Sequence, residues 1–275
     1  MPDPSRNAEP RIISVANQKG GVGKTTTAIN VAAGLVALGA RVLLVDLDPQ
    51  GNASTGLGVA PEDRKMTTYD LLIDDAPIAD VVMPTKTPGL FICPANADLS
   101  SADMELVANE KRSFLLHDAL RQPAVDDLNL DYILIDCPPS LSLLTVNAMV
   151  ASHSVLVPLQ AEFFALEGLS QLMLTIRQVR QSANPALRIE GVVVTMFDIR
   201  NKLSQQVEQD ARATLGDLVF KTMIPRNVRV SEAPSYAMSV LDYDATSKGS
   251  EAYRRLSAEL LARHPLIHRK EELAV

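Results

Sequence analysis

The sequence predicts an α/β fold: a doubly wound, mostly parallel β-sheet with helices on both faces, in a single domain. Three observations predict it. Short runs rich in β-branched residues alternate with segments of helical periodicity along the chain. These runs are apolar on both faces, which is typical of buried parallel strands. The chain has 275 residues, of which 47% are hydrophobic and 21% charged, and this suffices for one large core.

The first half of the chain opens with RIISVAN at 11–17, a predicted strand that leads through a glycine-rich loop. The helix after this loop is predicted at 26–39, where a glycine ends it. RVLLVDLD at 41–48 and GLFICPA at 89–95 are short apolar runs and are predicted as strands. Residues 103–122 have helical periodicity and are predicted as one helix.

The second half continues the alternation. DYILIDCPP at 131–139 is a strongly apolar strand that stops at two prolines. The segment at 166–181 is a long amphipathic helix. The remaining predictions are a helix at 143–151, strands at 153–159 and 188–197, and helices at 203–216 and 247–264. Ligands of such a sheet bind beyond the carboxyl ends of its strands, so functional residues are expected there.

The domain is predicted to span 11–263, with a flexible leader at 1–10 and a tail at 264–275. The leader has no apolar run and is therefore not read as a signal peptide. No run of about 18 apolar residues is present, which argues against a spanning helix. Two cysteines, Cys93 and Cys137, without a disulfide framework, predict a reducing, cytoplasmic setting.

The charge is unevenly distributed. The whole chain has a formal net charge of −7, which argues weakly against nucleic acid as a partner. Residues 1–175 carry 11 Lys and Arg against 21 Asp and Glu, whereas residues 176–275 carry 15 against 12. An acidic body with a basic C-terminal part can still present a cationic face, although ordinary surface scatter gives similar counts.

A near match to the phosphate-binding loop, G-x-x-x-x-G-K-[ST], follows the first strand. In NQKGGVGKTTT, Gln18 stands where the first glycine belongs, and Lys19 comes next. The glycines allow a tight turn with N–H groups pointing inward, and the following helix adds its positive N-terminus. Lys24 can reach the β- and γ-phosphates, and the Thr25 hydroxyl suits Mg²⁺. The predicted nucleotide-binding residues of this loop are Lys19, Gly20, Gly21, Val22, Gly23, Lys24, Thr25 and Thr26.

Three aspartates are expected at strand ends near this loop. Asp46 and Asp48 close the second predicted strand, and alternation places both on the same side. Asp136 follows four apolar residues, so it emerges at a strand tip and can hold Mg²⁺ through water. One of the first two could be a turn cap, but not both. The predicted metal-binding residues are therefore Thr25, Asp46 and Asp136.

Five strings in order resemble the ParA/Soj-type chromosome-partitioning ATPases, which carry a deviant Walker A motif and belong to the ParA/MinD class. The strings are NQKGGVGKTTTAIN, VLLVDLDPQGN, LIDCPPSL, FFALEGLSQL and IPRNVRVSEAPS, and the resemblance runs from about residue 11 to 263. It implies ATP and Mg²⁺ as cofactors. It also implies that Lys19, Lys24 and Asp48 are catalytic: Asp48 orients the attacking water, and Lys19 reaches the nucleotide of a partner subunit. From the residues alone, Lys19 could equally be a solvated loop lysine.

The resemblance further implies a cycle of partners. The ATP-bound protein is expected to be a homodimer that binds double-stranded DNA without sequence preference, on the nucleoid. A ParB-type, centromere-bound protein is expected to stimulate a weak intrinsic hydrolysis and so drive chromosome or plasmid segregation. The expected DNA-binding residues are Arg200, Lys202, Arg226, Arg229 and Lys248. The expected adenine-contacting residues are Met196, Pro225 and Asn227.

Three alternatives are weighed against this interpretation. A MinD-like membrane-cycling ATPase needs a C-terminal amphipathic helix, whereas the tail RHPLIHRKEELAV contains Pro265, two glutamates and no aromatic residue, so no membrane partner is expected. A nitrogenase-reductase-like iron–sulfur protein needs two well-placed cysteines per subunit, but no Cys-Gly-Gly turn follows Cys137. A ParA-like ATPase that positions a protein cargo remains open, because the sequence barely separates it from a DNA-segregating one.

Overall fold

The computed structural model describes residues 9–162 and 165–266, which form one mixed sheet covered by helices on both faces. Its strands are β1 (Arg11–Val15), β2 (Val42–Asp46), β3 (Met83–Pro84), β4 (Leu90–Cys93), β5 (Tyr132–Asp136), β6 (Ser154–Gln160) and β7 (Arg188–Thr195). The sheet order is β3-β4-β2-β5-β1-β6-β7, and every pairing is parallel except that of β3 with β4. The predicted mostly parallel sheet in a single domain is confirmed.

Helices fill the connections between the parallel strands, as crossover units require, and the remaining helices follow the last strand. In the first half they are α1 (Lys24–Ala37), α2 (Asn52–Gly56), α3 (Thr68–Ile73), α4 (Ile78–Val81), α5 (Leu99–Glu105), α6 (Leu115–Ala119) and α7 (Pro123–Asp127). In the second half they are α8 (Leu143–Ala151), α9 (Ala165–Ser182), α10 (Lys202–Leu215), α11 (Val228–Glu232), α12 (Val240–Tyr243) and α13 (Lys248–Arg263).

The core has two layers, one on each face of the sheet. Successive residues of a strand point to opposite faces, so Ile12 joins one layer and Ile13 the other. The layer containing Ile12 packs against α8 and α9, and the layer containing Ile13 packs against α1 and α13. Ile13 and Leu44 are fully buried, and each such side chain stabilises the fold by about 1.5–3 kcal/mol.

The predicted helix at 103–122 is wrong, because the chain breaks there into α5, a short 3₁₀ turn and α6. The side chain of Asn109 accepts a hydrogen bond from the backbone N–H of Lys111, which replaces a helical bond. Asn147 of α8 then donates to the carbonyl of Arg112 and accepts from the N–H of Leu116. The helical periodicity of this segment is thus overridden by tertiary contacts.

The two predicted terminal segments lie largely outside the described residues, which begin at Glu9 and end at Leu266. His264, assigned by sequence to the tail, contacts the domain: its Nε2 lies 2.9 Å from a carboxylate oxygen of Glu190, and its carbonyl accepts from Tyr132. Within the described ranges, no helix is both long enough and apolar enough to traverse a membrane.

Candidate nucleotide-binding site

The predicted site residues gather at the carboxyl edge of the sheet. β5 lies between β1 and β2, and its last residue, Asp136, pairs in register with Val15 and with Asp46. The loop after β1 leads directly into α1. The parallel register therefore places a glycine-rich loop and two strand-end aspartates beside one another, where ligands of open α/β sheets bind.

The phosphate loop has the backbone conformation that its glycines allow. Gly21 and Gly23 have φ angles of 75° and 86°, in the left-handed region that other residues seldom adopt. Gly23 also accepts the first intrahelical bond of α1, from Thr27. The Thr195 hydroxyl at the end of β7 donates to the carbonyl of Val22 at 2.8 Å and ties the loop to the sheet. The loop is thus held by the sheet as well as by its own turn.

Lys24 is the buried lysine of the loop, only 6% exposed. Burial lowers the pKa of its ammonium group, although the neighbouring carboxylates of Asp136 and Asp48 oppose that shift. Its Nζ donates to the carbonyl of Lys19 at 3.1 Å. A nearly buried ammonium with no direct carboxylate partner among the described residues suits a ligand that brings negative charge.

Lys19 is held differently from Lys24. Its side chain is 37% exposed, and its Nζ lies 3.1 Å from a carboxylate oxygen of Glu162, just beyond β6. Its backbone N–H donates to the side chain of Asn17. The amide of Gln160 donates to the other carboxylate oxygen of Glu162. Within one chain, therefore, Lys19 forms an ion pair with Glu162.

Asp46 and Asp48 lie together, but only Asp46 belongs to the strand. The predicted strand at 41–48 ends at Asp46, and Asp48 opens the turn that follows. The N–H of Asp48 donates to a carboxylate oxygen of Asp46 at 3.2 Å, and Ser54 donates to the other oxygen through both its N–H and its hydroxyl. Burial raises the pKa of Asp46 to about 6, against those hydrogen bonds.

Asp136 is fully buried, and neither of its carboxylate oxygens has a hydrogen-bond partner of good geometry in the described structure. Burial, and then the charges of Asp46 and Asp48, raise its pKa well above the usual value, while the Thr25 hydroxyl opposes that rise. Two unpartnered buried oxygens are costly, so this arrangement fits a cation.

The described residues contain no group of three or more His, Cys, Asp or Glu side chains arranged to hold a metal unaided. A divalent cation here would need further oxygen ligands. Mg²⁺ in phosphoryl-transfer sites is usually bound through one or two carboxylates together with substrate phosphates and water, so the donor set of Thr25, Asp46 and Asp136 fits Mg²⁺.

A cavity of about 180 Å³ opens beside the phosphate loop. Gly23 and Thr26 form its wall on the loop side, and Met196, Pro225 and Asn227 line the opposite side. The structure thus brings the three predicted adenine-contacting residues together. The Asn227 side chain also caps α11 by accepting from the N–H of Arg229, so part of its hydrogen-bonding capacity is already used.

The five predicted DNA-binding residues are all exposed and lie at helix starts or in adjoining loops. Arg200 forms a two-point contact with Asp198, and these hydrogen bonds, with a smaller effect from the charge of Arg226, lower the pKa of the Asp198 carboxyl. Arg229 lies 2.8 Å from Glu232 and 3.3 Å from Asp244. The other three residues lie near helix starts: Lys202 begins α10, Lys248 begins α13, and Arg226 precedes α11.

Four residues of this region carry contacts that sequence reasoning missed: Ser54, Arg64, Glu162 and Thr195. None belongs to a recognisable motif position. Each acts through a partner distant in sequence, such as Val22 for Thr195 and Lys19 for Glu162. Only the arrangement of the strands, and no spacing along the chain, identifies them.

The fold and the site define a P-loop nucleoside triphosphatase: a mostly parallel sheet whose interior strand β1 leads into a phosphate loop, with aspartates at the ends of the nearby strands β5 and β2. The model of a family described as "AAA domain" matches residues 10–189. The chromosome partitioning protein ParA of Caulobacter vibrioides (strain NA1000 / CB15N) is 56% identical over 253 residues, covering 92% of this chain and 94% of that protein. The sporulation initiation inhibitor protein Soj of Bacillus subtilis (strain 168) is 50% identical over 252 residues, covering 92% and 98%.

A solved structure agrees in fold. It is described as cobyrinic acid a,c-diamide synthase from Mycobacterium smegmatis with bound ADP and magnesium. It superposes with a TM-score of 0.79 at 38% identity, covering 92% of this chain and 95% of that one. The partitioning relatives are closer in sequence. The chain belongs to the ParA/Soj family of chromosome-partitioning ATPases, which confirms the family resemblance inferred from the five strings.

Proposed function

We propose that this chain is a Mg²⁺-dependent ATPase whose ATP-bound dimer binds DNA without sequence preference and drives chromosome or plasmid segregation. The observation that carries the proposal is the convergence at one sheet edge of a phosphate loop with two lysines and three aspartates. Membership of the partitioning family supports the biological role. The protein is expected in the cytoplasm, on the nucleoid.

Hydrolysis is assigned to a small set of groups. The N–H groups of the loop and the ammonium of Lys24 bind the phosphates and stabilise the charge that develops on them. Asp48, which is buried, orients the attacking water. Thr25, Asp46 and Asp136 would hold Mg²⁺, which supplies positive charge at the β- and γ-phosphates when bound. Met196, Pro225 and Asn227 take the adenine, in the cavity beyond Thr26.

Dimerisation is assigned to Lys19. A cation brought to the phosphates from a second subunit stabilises transition-state charge as an arginine finger does. Because Lys19 is bonded to Glu162 of its own chain, that contact must break before the lysine can cross to a partner. Binding of ATP across the interface would favour the exchange, since triphosphate oxygens are stronger partners than one half-exposed carboxylate.

DNA binding is assigned to the exposed cations Arg200, Lys202, Arg226, Arg229 and Lys248. Scattered Lys and Arg that contact phosphates give affinity without base readout. Two copies of this face in a dimer would double the number of contacts. A ParB-type partner would stimulate hydrolysis and return the protein to a monomer with low DNA affinity.

A DNA-binding titration with ADP, ATP and a slowly hydrolysed ATP analogue, repeated across salt concentrations, tests the proposal. We expect tight binding only with the triphosphates and a steep fall with salt, by a slope of about −0.9 per phosphate contacted. Equal affinity with ADP and ATP would contradict the nucleotide switch.

Three variants separate the parts of the proposal when nucleotide binding, ATP hydrolysis, dimer formation and DNA binding are each measured. Lys24→Ala should lose nucleotide binding, and with it the dimer and DNA binding. Asp48→Ala should bind ATP, fail to hydrolyse it and stay on DNA. Arg229→Glu should lose DNA affinity and keep the ATP-dependent dimer. Normal hydrolysis by Asp48→Ala would remove Asp48 from the water-positioning role.

A further inference from the structure

The turn after β2 determines where Asp48 lies. The N–H of Gly51 donates to the carbonyl of Asp48 at 2.9 Å, and the N–H of Gln50 donates to its carboxylate at 3.0 Å. Gly51 has a φ angle of 60° and immediately precedes α2. The carboxylate of Asp48 therefore moves with Gly51 and with the start of that helix.

One arginine from outside this turn holds it. Arg64 lies beyond α2, and its guanidinium donates to the carbonyls of Val59 and Ala95 at 2.9 Å each. It also donates to the Thr55 hydroxyl at 2.7 Å and, more weakly, to the carbonyl of Gly51 at 3.4 Å. The planar fork of an arginine reaches all of these acceptors at once, which a lysine ammonium cannot do.

The same contacts connect Arg64 to Asp46. Ala95, which follows β4, accepts from Arg64 and donates its N–H to the Ser54 hydroxyl at 2.9 Å. Ser54 in turn donates to the carboxylate of Asp46 at 2.7 Å. The helix α2 therefore lies between the sheet edge and Arg64. Asp46 is hydrogen-bonded to Ser54 of this helix, and Asp48 to Gly51 at its start.

The surroundings of Arg64 direct its guanidinium toward the backbone of this turn. It is half-buried and makes no ion pair with any carboxylate in the described part of the chain. A Cβ atom added at Gly51 would lie 2.2 Å from its Nη1, so the guanidinium packs directly against the turn.

We propose that Arg64 is a positioning residue for ATP hydrolysis, which holds the turn from Asp48 to Gly51 so that the Asp48 carboxylate faces the phosphate loop. The inference rests on the proposed function, in which Asp48 orients the attacking water. Arg64 is assigned no direct contact with the nucleotide or the attacking water, so its effect is expected on turnover and not on nucleotide affinity.

The test measures kcat and KM for ATP, and nucleotide affinity, in Arg64→Met and Arg64→Lys. We expect kcat to fall about 10- to 100-fold in Arg64→Met, with a smaller loss in Arg64→Lys, because small displacements of a reacting group cost that much. KM and nucleotide affinity should stay within about two-fold, since the phosphate loop is untouched. Amide exchange should rise at 48–59 and stay unchanged in the rest of the sheet.

Arg41→Met is the matched control, because Arg41 also donates to a backbone carbonyl, that of Leu128, but at the opposite edge of the sheet. It should keep the kcat of the wild type. Adding Arg64→Met to Asp48→Ala should cause no further loss, since both act on one step. The inference is overturned if Asp48→Ala is inactive but either folded Arg64 variant, Arg64→Lys or Arg64→Met, keeps the wild-type kcat. Normal turnover by Asp48→Ala would instead refute the proposed function.

Discussion

The two lysines of the phosphate loop differ in burial and in hydrogen-bond partner. Lys24 is buried, and its ammonium group donates one hydrogen bond to the carbonyl of Lys19. Its other N–H donors suit a bound anion. Lys19 is half-exposed and forms an ion pair with Glu162. An ion pair between half-exposed groups contributes at most about 1 kcal/mol, so this contact can be exchanged for another at little cost.

Exchange of this contact leads to a prediction. Glu162→Gln removes the charge of the residue and keeps its size, so Lys19 is freed while the loop is unchanged. We expect the dissociation constant of the ATP-bound dimer to fall by up to about five-fold for each subunit, and so by up to about 25-fold for the dimer, because two ion pairs no longer compete. Sedimentation of ATP-loaded protein over a range of concentrations measures it.

Glu110→Gln controls for the loss of one negative charge, because Glu110 is exposed and takes part in no ion pair among the described residues. It should leave the dimer constant unchanged. A weaker dimer in Glu162→Gln, or one equal to the wild type, would show that Glu162 does not compete for Lys19.

At the residue scale, the sequence predicted those groups whose chemistry is local. The glycines, Lys24 and Thr25 form one short string, and Asp136 terminates an obvious strand. Arg64 and Glu162 were missed because they act on partners 13 and 143 positions away, Gly51 and Lys19. Hydrogen bonds between side chains and distant backbone leave no periodic trace in a sequence.

At the scale of elements, hydrophobic periodicity predicted well where one packing surface dominates. The helix α8 spans Leu143–Ala151, as predicted, and α9 spans Ala165–Ser182, within a residue at each end. The helix predicted at 103–122 failed because Asn109 and Asn147 redirect the backbone there. The short helices α2, α11 and α12 were missed, since four or five residues are too few to show a period.

The short helix α11 leads to a prediction about DNA. Its Arg229 is shared between Glu232 and Asp244, which partly cancel its charge. Asp244→Asn removes one of the two carboxylates, and the asparagine oxygen can still accept from Thr246 as Asp244 does. We expect the ATP-bound protein to bind DNA several-fold more tightly at low salt, and less so at high salt, because screening weakens the effect of a single surface charge. Fluorescence anisotropy of a labelled duplex measures the affinity.

Asp217→Asn gives the comparison for that experiment, since it removes the same charge from an exposed aspartate that lies beyond the far end of α10. Its DNA affinity should match the wild type. If Asp244→Asn binds no more tightly than Asp217→Asn, Arg229 does not contact DNA phosphate.

At the scale of the whole molecule, the sheet places the predicted nucleotide site next to the predicted DNA-binding surface. The phosphate loop, the turn bearing Asp48 and the segment from Met196 to Arg229 all leave the same sheet edge. The cavity beside Thr26 is lined by Asn227, which also caps the helix that carries Arg229. A nucleotide in that cavity would contact the phosphate loop and the predicted DNA face together.

The last prediction concerns two copies of the chain. If Lys19 acts on the nucleotide of a partner, two inactive variants should restore activity when mixed. In a dimer of Lys19→Ala with Asp48→Ala, the site of the Lys19→Ala subunit has its own Asp48 and receives Lys19 from its partner, whereas the other site lacks both. An equal mixture in which subunits pair at random should reach about a quarter of the wild-type rate, since half of the dimers are mixed and each has one complete site.

If Lys19 acts within its own subunit, neither site in the mixed dimer is complete, and the rate should remain that of the separate variants. Mixing either variant with Lys24→Ala provides a further arm, because Lys24→Ala binds no nucleotide, is therefore expected to form no dimer, and should rescue neither. The steady-state rate of phosphate release as a function of mixing ratio therefore decides whether the unusual loop lysine serves its own nucleotide or that of a second copy. A maximum near equal proportions requires the contact across the interface.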